Sequence, residues 1–263
     1  MNNVLTPKAC KIIDIKKESL LEYTFRVETD IKVKHGQFLQ ISIPKIGEAP
    51  ISVSGFGDGY LDFTIRSVGK VTDKIFTLQP GDNLFLRGAY GKGWPVEKLK
   101  DKNIVIVAGG TGVAPVRSMI NMLYNDETYA KSVNLIFGFK DENSVLFKSE
   151  LELWKERFNT IYTLDKGKIE GFENGLVTKY LSKLPLDSFK DNYEIIIVGP
   201  PMMMKFTALD FIKLGVPEEK IYVSFERKMS CAIGKCGHCR IDETYVCLEG
   251  PVFNYTKAKS LLD

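Results

Sequence analysis

The residues of this chain best suited to chemistry gather near its C-terminal end. Four of its five cysteines, Cys231, Cys236, Cys239 and Cys247, follow the spacing C-x4-C-x2-C-x7-C. The first three match the run that holds plant-type [2Fe–2S] clusters, where a fourth Cys lies further along the chain. Four thiolates that must converge on two irons need a tight loop. Ala232, Gly234 and Gly237 supply small side chains and glycine's backbone freedom there. Structural zinc is the alternative. Zinc sites usually show two close ligand pairs, whereas this loop has one C-x2-C pair and one four-residue gap, which fits zinc less well. Disulfides are the remaining alternative. Arg227, Lys228, Lys235 and Arg240 flank the loop and would offset the charge of an anionic cluster, although a solvated basic face would read the same way. Cys10 stands alone and reads as structural.

Two glycine-rich turns form a second group. Ala108-Gly109-Gly110-Thr111-Gly112-Val113-Ala114-Pro115 follows an apolar run and opens a helical pattern. Its glycines let the backbone approach a phosphate, and a helix N-terminus attracts the anion. It is not the G-x-G-x-x-G fingerprint, and a plain tight turn is the competing reading. Gly199-Pro200-Pro201-Met202 closes another apolar run, and ligands of open α/β sheets bind at such strand ends. Earlier in the chain, Arg66-Ser67-Val68-Gly69-Lys70-Val71-Thr72 combines a cation, a glycine and a hydroxyl. A phosphate bridged between Arg66 and the amides near Thr72 is one reading; a salt-bridged strand end with a helix cap is the other. The loop Arg87–Pro95, rich in Gly and aromatics, suits a flat ligand or a structural turn. His35 and His238 stand apart from any obvious acid or nucleophile, so a catalytic triad has little support, and the run from Met202 to Met204 at a helix start reads as core filler more than as a ligand set.

The pattern of elements changes once along the chain. Residues 8–88 read as short strands, at 11–16, 20–28, 37–43, 60–67 and 83–87, which suggests a small antiparallel barrel. From about residue 100, apolar runs at 103–108, 133–137, 160–164, 194–198 and 221–225 alternate with helical stretches at 113–124, 144–158, 176–184 and 202–214. That alternation predicts a doubly wound parallel sheet, with 221–225 as its last strand. Three segments follow: 1–98, 99–225 and 226–263. Length, an apolar content of 44% and a charged content of 26% suit a globular protein. A net charge of +3 gives no argument for nucleic acid or a membrane surface. The absence of a signal-like start and of any run near ~18 apolar residues, with thiolates kept for a metal, points to a cytoplasmic protein.

In this order the motifs resemble the ferredoxin–NADP reductase superfamily over nearly the whole chain. Glu226–Arg240, with Gly-His between the second and third Cys, and Tyr245–Phe253, with Gly-Pro-Val-Phe after the fourth, resemble the cluster loops of dihydroorotate dehydrogenase electron-transfer subunits. Within that group they look most like anaerobic sulfite reductase B subunits, and sulfhydrogenase gamma subunits are similar. The resemblance implies an FAD-binding barrel, an NAD(P)-binding α/β domain and a terminal [2Fe–2S] cluster on Cys231, Cys236, Cys239 and Cys247. It implies hydride transfer from NAD(P)H to FAD, then single electrons through the cluster to a partner. The partners it implies are a ferredoxin-like iron–sulfur subunit and a sirohaem sulfite reductase subunit, or alternatively a sulfhydrogenase or dihydroorotate dehydrogenase complex. The family's Arg-Pro-x-Ser flavin motif corresponds to Ala49-Pro50-Ile51-Ser52, so its Arg is missing. Arg66, Gly69, Val71 and Thr72 are then expected to take over the FAD pyrophosphate. Ser52 is the candidate catalytic residue beside the flavin ring, with Pro50, Ile51 and Val53 shaping its pocket. Gly110, Thr111, Gly112 and Val113 match the nucleotide loop, and Gly199, Pro200 and Met202 the nicotinamide side. Asp141 and Glu142, next to Lys140, would repel a 2′-phosphate, which favours NADH over NADPH.

Overall fold

The computed structural model describes residues 5–261. In the first third, alternation of apolar and polar residues at period two turns one side of each strand inward. Strands β1 (Lys8–Lys17), β2 (Glu22–Glu28), β3 (Phe38–Ile43), β4 (Gly47–Gly57), β5 (Tyr60–Arg66) and β6 (Asn83–Tyr90) close into an antiparallel barrel in the order β1-β2-β5-β4-β3-β6. Ile12, Phe25, Val27, Leu39, Ile41, Val53, Phe63 and Leu86 fill it. The short helix α1 (Lys70–Ile75) lies between β5 and β6 in the chain. Strand β4 was not expected as a strand. Gly47, Pro50, Gly55 and Gly57 dilute its pattern, and its pairing on both sides with β3 and β5 overrides the poor local propensity.

The apolar runs that follow are buried on both faces, as parallel strands require. They are β7 (Asn103–Gly109), β8 (Ser132–Phe139), β9 (Asn159–Leu164), β11 (Tyr193–Val198) and β12 (Ile221–Ser224), to which the two-residue, polar and exposed β10 (Glu173–Asn174) adds an edge. Helices α2 (Ala114–Asn125), α3 (Lys148–Arg157) and α4 (Pro201–Lys213) connect them. The tail adds the hairpin β13 (Arg240–Ile241) and β14 (Thr244–Tyr245), the turn α5 (Val246–Glu249), strand β15 (Val252–Asn254) and α6 (Tyr255–Ala258). The sheet order is β10-β9-β8-β7-β11-β12-β15. β12 is therefore not the last strand: β15, contributed by the tail, lies outside it.

Two helices differ from expectation. The stretch 176–184 forms 3-10 turns over Val177–Lys183 instead of an α-helix. The helix expected from residue 144 begins at Lys148. Asp141 caps a separate turn by accepting from the amides of Asn143 and Ser144, and Phe147 adopts a left-handed φ of 55°. The chain clusters into two compact units. One runs to Trp94 and includes Ala114–Ser118 and Glu226–Val252; the other holds Pro95–Val113, Met119–Phe225 and the chain from Phe253 onward. Among the described residues no helix is long and apolar enough to cross a membrane.

Candidate functional site

The cysteine segment folds as a series of left-handed turns. Ala232, Gly234 and Gly237 have φ of 59°, 71° and 79°. A Cβ on Gly234 would collide with Leu248, the residue after the fourth cysteine. Glycine is favoured there by backbone angle, and a larger residue would require the half-exposed Leu248 side chain to shift. These turns aim amides at sulfur: Sγ of Cys231 accepts from the N–H groups of Ile233 (3.5 Å), Lys235 (3.3 Å) and Cys236 (3.3 Å). Cys236 is exposed, and Cys239 and Cys247 are buried. Amide donors, first that of Cys231, bring the Cys236 thiol down to about 7. Burial, followed by the neighbouring Cys239, pushes Cys247 up to about 12. Among the described residues no three His, Cys, Asp or Glu side chains form a ligand set for a single ion, and all five cysteines are free thiols. Four free thiols on one tight loop, with three amides directed at the first sulfur, suit a thiolate-held iron–sulfur cluster.

The flavin motif lies on β4, opposite β3. Ile51 and Ala49 pair with Leu39 and Ile41, which are barrel core, so alternation turns Pro50 and Ser52 to the outer face. Val53 is fully buried in the core, and its side chain does not shape a ligand pocket on the outer face, contrary to expectation; Ile51 also packs against that core. On the outer face, Pro50 pairs with Gln40, and Gln40 with Arg87 on β6. Gln40 is fully buried, and its Oε1 is an acceptor without a hydrogen-bond partner among the described residues. A ligand N–H on this face, such as a flavin ring provides, would satisfy it.

Sequence reasoning placed Arg87 in a loop suited to a flat ligand. The structure gives it a different task. It is 6% exposed. Its Nε donates to Glu48 (2.7 Å), with a second, shorter contact from Nη2. Nη1 donates to the Tyr90 hydroxyl (2.9 Å) and to the Cys231 carbonyl (2.8 Å), and Nη2 to the Ser230 carbonyl (2.5 Å). Gln40 Nε2 donates to the Met229 carbonyl (3.3 Å). The loop after β6 meets the other end of the cysteine segment: Lys92 N–H donates to the Gly250 carbonyl (2.8 Å), and a Cβ on Gly91 would stand 2.5 Å from Pro251.

Arg66 and the start of α1 form an ion pair and a helix cap. Arg66 is half exposed and pairs with the buried Glu22 at 3.3 Å. The Thr72 hydroxyl accepts from Val68 and Gly69 N–H (3.0 and 3.1 Å) and donates to the Gly69 carbonyl. Thr72 is thus the helix cap, and its hydroxyl is committed to that role. What this turn has to offer a phosphate is the Arg66 guanidinium and the early amides of the helix, which lack intrahelical acceptors.

Within the sheet unit the two glycine turns meet. β7 and β11 are adjacent and parallel. The chain runs outward from β7 to β8, β9 and β10, then returns to the other side of β7 with β11. This reversal is the topological switch point at which open α/β sheets bind ligands. A Cβ on Gly112 would stand 2.6 Å from the Val198 carbonyl and 2.9 Å from Gly199 Cα. Gly199 in turn approaches Gly109 N and Met203 Sδ. Gly110, with φ 54°, has open space where a Cβ would be. Val113 is buried, whereas Met202 is 56% exposed at the start of α4. Gly110, Thr111 and Gly112 thus stand beside Gly199 and Pro200 across two strand ends. Asp141 and Glu142 follow β8, their carboxylates accepting from Asn143 and Ser144 (3.1 and 3.0 Å) and from Lys168 N–H (2.9 Å).

His35, isolated in the sequence, lies against Ser118 and Phe56. Its Nδ1 is 3.0 Å from Ser118 Oγ, and its ring centroid is 4.8 Å from that of Phe56. Burial lowers its pKa to about 4.

Comparison with known proteins agrees with this arrangement. Residues 106–208 match the oxidoreductase NAD-binding domain family, and residues 226–259 match the iron–sulfur cluster binding domain of dihydroorotate dehydrogenase B. The sulfhydrogenase 2 gamma subunit of Pyrococcus furiosus is 32% identical, over 95% of each chain. A probable dihydroorotate dehydrogenase B (NAD(+)) electron transfer subunit of Methanocaldococcus jannaschii is also 32% identical, over 96% of this chain and 91% of its own. In fold, the chain superposes on a subunit from the structure of an NADH-dependent reduced ferredoxin-NADP oxidoreductase with a TM-score of 0.78, at 23% identity over 97% and 93% of the two chains. The expected NAD(P)H-dependent flavoprotein oxidoreductase, with FAD, an iron–sulfur cluster and NADH as donor, is in keeping with these likenesses. The two domain matches, and identity above 30% along nearly the full length of the relatives, lead to one conclusion: the chain belongs to the family of NAD-binding, iron–sulfur-carrying electron-transfer subunits that includes sulfhydrogenase gamma and dihydroorotate dehydrogenase B electron-transfer subunits.

Proposed function

We propose that the chain is the NADH-oxidising electron-transfer subunit of a larger redox complex in the reducing interior of the cell. The observation that carries this reading is a four-cysteine segment whose first sulfur accepts from three amides and whose backbone is held by Arg87 of the barrel. FAD, when bound, accepts a hydride and releases electrons singly, and the cluster carries them one at a time. The chain's residues do the holding. Gly110, Thr111, Gly112 and Val113 with Gly199, Pro200 and Met202 receive the dinucleotide at the switch point between β7 and β11. Pro50 and Ser52 face the flavin ring, and Arg66 with the amides of Val71 and Thr72 takes the pyrophosphate in place of the missing arginine at Ala49, while the Gly69 amide is taken up by the Thr72 hydroxyl. Cys231, Cys236, Cys239 and Cys247 ligate the cluster. Residues 1–98, 99–225 and 226–263 carry FAD, nucleotide and cluster respectively. Asp141 and Glu142 favour NADH over NADPH.

The relatives favour a partner complex of the sulfhydrogenase or dihydroorotate dehydrogenase kind over anaerobic sulfite reductase. The sulfite reductase reading, with its ferredoxin-like and sirohaem partners, rests on the residues around Gly237-His238 and Gly250–Phe253 alone. The test is an anaerobic visible spectrum of the purified chain before and after NADH, with iron, zinc and flavin quantified. Flavin and iron–sulfur bands that bleach with NADH are expected. A colourless protein with stoichiometric zinc would overturn the assignment.

A further inference from the structure

Arg87 is a buried cation with an unusual set of partners. Its guanidinium reaches the carbonyls of Ser230 and Cys231, the peptide units at the first cluster ligand, from a strand 143 and 144 residues earlier in the chain. Its counter-ion is Glu48, two residues before Pro50 of the flavin motif. Gln40, its register partner, holds the next carbonyl back, that of Met229. Three consecutive carbonyls are thus gripped by two side chains of the barrel's outer face. A planar fork suits this work, because it fixes direction as well as distance. The same grip places a formal positive charge in a buried position at the backbone of the first ligand residue, where Coulomb interactions are less screened than in solvent.

We propose that Arg87 is a positioning residue for the cluster: it locks the first ligand-bearing turn to the flavin strand, and the balance between its charge and that of Glu48 sets how readily the cluster takes up one electron. This rests on the functional reading above. A cation near the cluster favours its reduced, more negative state, and an anion disfavours it. Removing Glu48's charge and removing Arg87's charge therefore have opposite effects on the potential. A purely structural role gives no such opposition.

The experiment compares wild type, Arg87→Met, Arg87→Lys and Glu48→Gln as full-length chains. Each is titrated with dithionite in the presence of dye mediators, which deliver one electron per oxidised cluster. The cluster midpoint is expected to rise in Glu48→Gln and fall in Arg87→Met, with Arg87→Lys near wild type. In parallel, amide hydrogen exchange is followed in the iron-free proteins over residues 229–236. Exchange at the Ile233, Lys235 and Cys236 amides is expected to quicken at least tenfold in Arg87→Met and less in Arg87→Lys. Potentials that shift in the same direction, or wild-type exchange in Arg87→Met, would overturn the proposal. If Arg87→Met does not retain iron, the midpoint of Glu48→Gln is read against wild type, where a rise is expected and an unchanged or lowered value would overturn the proposal, and the exchange measurement stands unchanged. A wild-type chain that binds no iron would sink the functional reading instead, while the exchange data would still decide whether Arg87 orders this turn.

Discussion

Single residues in this chain differ in how far their roles reach along the sequence. The segment that matches an iron–sulfur binding domain is legible because the spacing of its four cysteines is local. Arg87 was not legible, because its partners, Glu48, Ser230 and Cys231, lie far away in the chain and no local pattern announces them. Val53 was misplaced for a related reason: a motif names residues, but strand alternation decides which side each one faces. His35 shows that isolation in sequence is not isolation in space, and its burial has a measurable consequence. Its imidazole titrates near 6.5 when unfolded and at about 4 when folded. The unfolded chain therefore takes up the proton first. The stability that the neutral ring permits is intact above pH 6.5 and is lost as pH falls towards 4. Between pH 7 and pH 5 the loss is about 2 kcal/mol at most from this one group. Urea unfolding of wild type and His35→Gln at both pH values checks it: the variant is expected to lose less stability than wild type over that interval.

Elements were read well where burial imposes a long, uniform pattern, and poorly where tertiary pairing rescues a weak one. β7, β8 and β11 are continuous apolar runs and were plain. β4 carries the flavin motif, yet its glycines and Pro50 hide it, and only its neighbours on both sides make it a strand. The stretch 177–183 has helical spacing but forms 3-10 turns. The two glycine turns illustrate the same division. Each was visible singly, but that they touch follows from β11 returning beside β7, which is a property of strand order. Gly112 is the point of closest approach. Gly112→Val is expected to weaken NADH binding more than tenfold while flavin and iron contents stay at wild-type values, because the clash lies within the sheet unit. Titration of flavin bleaching against NADH concentration, alongside cofactor analysis, tests this. Equal loss of all three cofactors would mean that the change simply unfolds the chain.

For the molecule as a whole, the sequence made the order of barrel, sheet and cysteine segment readable. It did not show where the tail goes. Glu226–Val252 clusters with the barrel, whereas the chain from Phe253 onward belongs with the sheet. β15 is the outermost strand, beyond β12, and Asn254 Nδ2 donates to the Glu219 carbonyl (2.7 Å) while Lys259 pairs with Glu218 (2.7 Å). A chain ending after Phe225 is expected to self-associate, which light scattering of the truncated and full-length proteins would reveal; a monodisperse truncated protein would contradict it. The reason is that an uncovered strand offers its backbone donors and acceptors to any neighbour. The iron-binding segment is therefore no detachable appendage. Deleting it would confound two losses, that of an electron carrier and that of a protective selvedge. A lineage that abandoned the metal would still be under pressure to keep the polypeptide that once carried it.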